Sequence, residues 1–163
     1  MKLIKTFVGC LCMIAMVSCG EGNPNVKVDA TMDEGKNAVI ETIMARRSIR
    51  KYKNETVSRE LLDQIMECGI NAPNGQNKQS WEVRVVDKPE VMEDIKSTLN
   101  AACPTMNDAA GCFRGAPVMV FLARAKSYDF SAYDCGLMAE NIMLSAWSLG
   151  VGSICLGSPV RMI

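Results

Sequence analysis

"FSAYDCGLMAENIMLSAWSLG" spans residues 130–150. It is rich in Ala, Leu and Met, which favour helix, and it ends at Gly150, a residue suited to stopping one. Because the stretch is apolar nearly all round, the helix is expected to run through the core. After it, "VGSICLGS" (151–158) reads as a strand whose glycines permit close backbone approach. Before it, "APVMVFLA" (116–123) is a continuous apolar run, the pattern of a strand buried on both faces. Further out, "WEVRVV" (81–86) alternates apolar and charged residues, as a strand with one buried face does. Helical spacing of apolar residues marks "NAVIETIMARR" (37–47) and "SRELLDQIMECGI" (58–70), with Ser58 as the N-cap of the second. "PEVMEDIKSTLN" (89–100) opens with Pro in a first helical turn. "NAPNGQNKQS" (71–80) has loop chemistry. The sum is an α+β domain over 37–163, a few strands covered by several helices.

The chain has 163 residues, enough for one domain with a real core. Its 18 basic and 18 acidic residues leave no basic excess, which argues against nucleic acid as a partner. It has no histidine, which argues against a zinc site and against histidine-based catalysis.

The N-terminal stretch has a different character. Lys2 and Lys5 precede the uncharged "FVGCLCMIAMV" (7–17), too short to span a bilayer but fitted to the apolar core of a secretory signal. "MVSCG" follows and resembles the lipobox of bacterial lipoproteins, with Met16 where Leu is usual and Cys19 as the lipidated residue. The expectation is a signal peptide over 1–18 and a lipid-anchored, extracytoplasmic chain, on the periplasmic or outer-membrane side, that begins at Cys19. An ordinary signal peptide and a small apolar helix are the alternatives. Loss of Lys2 and Lys5 would leave 16 basic against 18 acidic residues. The polar stretch 20–36 reads as a flexible tether with a span of about 23 Å.

Five cysteines remain beyond Cys10, Cys12 and Cys19, so at least one is unpaired within the chain. Cys103 and Cys112 flank "PTMNDAAG"; they either form a disulfide or stay as two thiols.

Three stretches carry candidate chemistry. "ARRSIRKY" (45–52) closes the first helix, where cations meet the helix dipole favourably by about 0.3–1 kcal/mol. Arg46 and Arg50 also share a face if the helical turn continues, and Ser48 lies between them. Two guanidinium groups and a hydroxyl suit a phosphate or another oxyanion. In the 71–80 loop, Asn74, Asn77 and Gln79 carry amides that can read the edge of a heterocycle or simply make turns. The glycines of "SLGVGSICLGSP" (148–159) lack the following Lys-Ser or Lys-Thr of a P-loop and the spacing of a dinucleotide fingerprint.

In this order the stretches resemble the FMN-dependent nitroreductase family. Its Arg-Arg-Ser-x-Arg-x-Tyr/Phe segment corresponds to Arg46, Arg47, Ser48, Arg50 and Tyr52. Its Ala-Pro-Ser-x-x-Asn-x-Gln-Pro-Trp segment corresponds to Ala72, Pro73, Asn74, Asn77, Gln79, Ser80 and Trp81, with Asn and Ser for the usual Ser and Pro. Gly115, Ala116 and Pro117 before an apolar strand match as well, as do "AENIMLSAWSLGVGS" (139–153) and "ICLG". The resemblance covers roughly residues 37–160. It implies a central, mostly antiparallel sheet flanked by helices, and a homodimer with FMN at the interface. Arg46, Ser48 and Arg50 would hold the phosphate and ring edge, with Arg47 nearby. Pro73, Asn74 and Asn77 would reach the flavin, in many members from the partner subunit, with Gln79 in the same motif. The backbone at Leu156 and Gly157 would lie near the reactive flavin nitrogen. NAD(P)H would supply electrons, and a quinone, nitroaromatic or similar small molecule would accept them. On this resemblance no side chain need act as a catalytic acid or base, because the flavin carries the hydride chemistry.

Family members usually continue with a further segment that brings a Lys or Arg to the FMN phosphate, whereas this sequence ends at Ile163. The expectation is a fragment or a shortened member. The alternative function is a non-catalytic lipoprotein that binds flavin or a small ligand.

Overall fold

Ser58 opens the helix that packs against the long C-terminal one. Its hydroxyl accepts from the Leu61 N–H, and helix α2 (Arg59–Ile70) runs on from it; such a cap contributes about 1 kcal/mol. The computed structural model describes residues 37–53 and 55–157. The signal, Cys19 and the tether therefore lie outside the described residues, as do 158–163. The other elements are α1 (Ala38–Ala45), β1 (Trp81–Val86), α3 (Pro89–Ala102), β2 (Met119–Arg124) and α4 (Ser131–Ser148), with 3₁₀ turns at Gly75–Asn77 and Ala110–Phe113.

Strands β1 and β2 pair antiparallel, Trp81 opposite Arg124 through to Val86 opposite Met119. Trp81, Val83 and Val85 form the half-buried face of β1, and Glu82 and Arg84 point to solvent, as the alternation requires. Helix α3 links the strands and buries Met92 and Leu99 against Ala109, Phe113 and Met119; Val86, Phe121 and Leu156 close over this cluster. Helix α4 packs on α2 and on the sheet. Leu62 and Ile65 of α2 and Met138 and Ala146 of α4 are buried, and Asn141 Nδ2 donates to the Cys68 carbonyl at 3.1 Å across the pair.

Four expectations change. First, α1 ends at Ala45: Arg46 takes φ −53°, ψ 134°, so the arginines after it are not on a helical turn. Second, the apolar run at 116–123 enters the sheet only at Met119, and burial declines along β2 to two exposed residues. One antiparallel neighbour cannot bury both faces. Third, 151–158 is not a strand among the described residues; it makes a single parallel bridge, Ser48 to Ser153. The expected central sheet is thus two-stranded among the described residues. A lone bridge needs a ladder on either side to become a strand, and the turn at Gly150 (φ 78°) directs the chain toward 48–49 instead. Fourth, α4 buries only Ser131, Asp134, Met138 and Ala146; Tyr133 and Leu137 are exposed. Apolar character all round marks a helix that can be covered on every side, but α2 and the sheet cover one side of it.

Cys103 and Cys112 are both half-buried and are not joined in a disulfide. Among the described residues, no helix is long and apolar enough to cross a membrane, and no cluster of His, Cys, Asp or Glu could hold a metal ion.

Candidate functional site

The arginine segment is organised by extended backbone. Ile49 N–H donates to the Ser153 carbonyl at 3.0 Å, which stitches the segment to the chain leaving α4. Ser48 and Arg50 are exposed and Arg46 is half-buried, so all three side chains keep access to solvent. Ile49 takes the inward side, and with Trp147, Gly150, Val151 and Gly152 it lines a groove of about 500 Å³. A Cβ on Gly152 would lie 2.8 Å from Ile49 Cγ1. The close approach its glycine allows is therefore to Ile49. Gly152→Ala is expected to destabilise by about 1–3 kcal/mol, as overpacking does, and to separate the 48–153 bridge; thermal unfolding and amide exchange at Ile49 measure both.

The individual side chains divide by role. Arg47 turns back, its Nη1 donating to the carbonyls of Met44 at 2.7 Å and Arg46 at 2.8 Å; it serves the helix end. Arg46 lies 4.0 Å from Glu140 of α4, a loose pair worth at most about 1 kcal/mol at a surface. Arg50 makes one long bond, 3.3 Å, to the Ser48 carbonyl. Tyr52 donates its hydroxyl to the Ile49 carbonyl at 2.8 Å. Burial pushes its pKa above the ordinary value, opposed by Arg50. Ser153 Oγ is buried and has no hydrogen-bond partner among the described residues. Leu156 packs into the core cluster, while Gly157 is exposed and, its chain neighbours aside, no atom of the described residues lies within 4 Å of where its Cβ would be.

The loop 73–80 is held elsewhere. Asp134, 3 % exposed in the first turn of α4, accepts from Gly75 N–H at 2.9 Å and from the Ser80 hydroxyl at 3.2 Å. Asn74 Oδ1 accepts from Gln79 N–H at 3.0 Å, so the Asn74 side chain braces the loop. Lys78 Nζ sits 4.5 Å from the centre of the Tyr128 ring. These clamps hold Gln76, Asn77 and Gln79 at φ 56°, 53° and 47°, left-handed conformations that cost about 1 kcal/mol or more each in non-glycine residues. Pro73, Asn77 and Gln79 are exposed. Asp134 also raises the pKa of its neighbour Cys135, secondary to burial and opposed by Arg124.

Among the described residues no hydrogen bond or ion pair joins the arginine segment to the 73–80 loop. The loop is tied to Asp134 in the first turn of α4, whereas the arginine segment is stitched to Ser153 beyond the last turn and meets α4 loosely through Arg46 and Glu140. Asp134 and Ser153 went unnoticed in the sequence reading. The signal for Asp134 was a lone carboxylate on the buried side of an apolar helix; for Ser153 there was none.

The profile of the nitroreductase family matches residues 43–161. The chain belongs to the nitroreductase family. A relative from Methanothermobacter thermautotrophicus is 31% identical over 139 residues, 82% of this chain and 69% of the relative. The FMN reductase (NAD(P)H) of Bacillus subtilis is 32% identical over 144 residues, 75% of this chain and 55% of the relative. The chain thus spans between about half and about two thirds of these relatives. A nitroreductase with bound FMN from Desulfitobacterium hafniense superposes with a TM-score of 0.67 at 33% identity, covering 78% of this chain and 74% of the other. One with bound FMN from Bacteroides fragilis gives 0.66 at 28%, covering 72% and 68%. The nitroreductase-like α+β fold expected from the motifs is borne out.

Proposed function

We propose that this nitroreductase-family chain is an FMN-dependent oxidoreductase that takes electrons from NAD(P)H and passes them to a quinone, nitroaromatic or similar small acceptor. The observation that carries the reading is the stitched pair of segments 46–50 and 151–157. It presents two arginines with weak local partners, a buried Ser153 hydroxyl with none among the described residues, and open space over Gly157. This donor set fits FMN: Arg46, Ser48 and Arg50 would take the phosphate and ring edge, and the Leu156–Gly157 backbone would face the ring. Bound FMN supplies the hydride chemistry; the chain's own residues bind it, orient it and limit the access of water. The purified full chain should be yellow and should oxidise NADH when a quinone is added. A colourless protein that takes up no added FMN would overturn the reading. FMN bound without turnover would leave a flavin-binding module.

The loop residues Pro73, Asn74 and Asn77 belong, on this reading, to the site of a second copy. Helix α1 supports a homodimer. It has no buried residue, and Val39, Ile40, Ile43 and Met44 are each more than half exposed. An apolar stripe of this kind marks an interaction surface. Ile40→Asp with Met44→Asp is expected to give a folded monomer with at least about tenfold weaker FMN binding, since removing one buried apolar pair from an interface costs more than 1.4 kcal/mol. Sedimentation and flavin titration check it. Lipidation at Cys19 and extracytoplasmic placement are likewise proposed, on the pattern of residues 1–19; incorporation of labelled palmitate that is lost in Cys19→Ala tests them.

A further inference from the structure

The pair Cys103 and Cys112 takes no part in the site above. Cys103 caps α3, its N–H bonded to the carbonyls of Leu99 at 3.1 Å and Asn100 at 3.3 Å. Cys112 lies in the 3₁₀ turn Ala110–Phe113, its N–H bonded to the Ala109 carbonyl. The segment between them returns on itself: one turn before Cys103, Asn100 Oδ1 accepts from Ala110 N–H at 2.9 Å and closes the neck. Both sulfur side chains pack on the same buried cluster of Met92, Leu99, Ala109, Phe113 and Met119. Leu156, the residue placed behind the flavin, packs on that cluster too.

We propose that Cys103 and Cys112 form a reversible disulfide that braces the core cluster behind Leu156, with a small-molecule or protein disulfide as oxidant. One thiolate attacks the oxidant's sulfur and expels a thiolate; the second cysteine attacks the resulting mixed disulfide and expels the other. Two electrons and two protons leave the pair, and the oxidant becomes two thiols. The closure needs the two Cα atoms within about 4.4–6.8 Å; the bond from Ala110 to Asn100, two residues before Cys112 and three before Cys103, is the contact that draws the two ends of the segment together. Burial pushes Cys112 above its ordinary pKa, opposed by its own backbone bond and Arg114, with Asp108 and Cys103 adding to the rise.

The test uses the reduced full chain, treated with oxidised glutathione, alkylated and digested with trypsin without reductant. No Lys or Arg lies between Lys96 and Arg114, so both cysteines fall in the single peptide 97–114. The expected peptide is unalkylated and lighter by two hydrogens than its reduced form. The oxidised chain should melt about 5–10 °C higher, the entropic effect of closing a loop of about ten residues. Dithiothreitol should reverse the shift. Cys103→Ala and Cys112→Ala should abolish it, and Cys135→Ala should retain it. Alkylation at both positions after oxidation, persistent glutathione on either, or linkage to another cysteine would overturn the disulfide. An unchanged melting temperature with the bond formed would overturn the bracing. The digest of the unmodified chain decides the pairing even where an alanine variant does not fold.

Discussion

Replacing Arg46 and Arg50 together by alanine is expected to weaken FMN binding by at least about a hundredfold while leaving the melting temperature nearly unchanged. Each arginine would give a charge-assisted hydrogen bond to the phosphate or ring edge, worth about 1.5–3 kcal/mol. Two such bonds sum to about 3–6 kcal/mol, or roughly two to four orders of magnitude in affinity. Their cost to the fold is small. Arg46 loses a loose pair with Glu140, and Arg50 loses one 3.3 Å bond to a carbonyl. Flavin fluorescence titration and a thermal melt on the same preparation separate the two effects. Flavin bound at unchanged affinity would show the arginines to be surface charge at the end of α1. Arg47→Ala is the internal contrast: its bonds run to the helix end, so it should alter stability slightly and flavin affinity less than either neighbour.

The second large effect is expected at Asp134. Asp134→Ala removes a buried carboxylate that holds both Gly75 N–H and the Ser80 hydroxyl. Those donors are left in a partly buried place without an acceptor, a loss of about 3 kcal/mol and a fall in melting temperature on the order of 10 °C. The negative charge also sits favourably in the first turn of α4. Asp134→Asn keeps one acceptor oxygen and should lose roughly half as much. With that clamp gone, Asn74 on Gln79 and Lys78 on Tyr128 are left to oppose the cost of the left-handed conformations at Gln76, Asn77 and Gln79, so amide exchange across 74–80 should rise steeply. A melt within a degree or so of the parent, with the loop still protected, would show that Lys78 on Tyr128 and Asn74 on Gln79 suffice to hold it. The two variants fail differently: the arginine pair loses ligand without stability, and Asp134→Ala loses stability and the loop.

Local signals were read well wherever the interaction is local. Ser58 capping α2, Pro89 opening α3, the alternation of β1 and the stop of α4 at Gly150 each depend on a few neighbouring residues, and each is found in place. The arginine motif was legible for the same reason, although its geometry was not. Helical spacing would put Arg46 and Arg50 on one side, but the backbone at Arg46 shows that the helix has already ended there. Leu156 was legible as part of a motif, but its side chain proves to serve the core.

What the sequence alone determined is the family: an ordered set of short motifs, each weak singly, whose order and spacing specify one fold. It also carried the residue types of an anion-binding site, since guanidinium and hydroxyl groups have few other combined uses. Tertiary structure decided which of these residues are committed to the fold and which are left over. Asn74 and Arg47 bond inward to their own segments, whereas Arg50 and Ser153 keep unused donor capacity. It also decided that the loop is held by the first turn of α4 and that the arginine segment is stitched to the chain beyond the last turn. The physical reason is that hydrogen-bond satisfaction and burial depend on contacts between residues far apart in the chain, such as Asp134 with Gly75 and Ile49 with Ser153, and no local pattern encodes those partners.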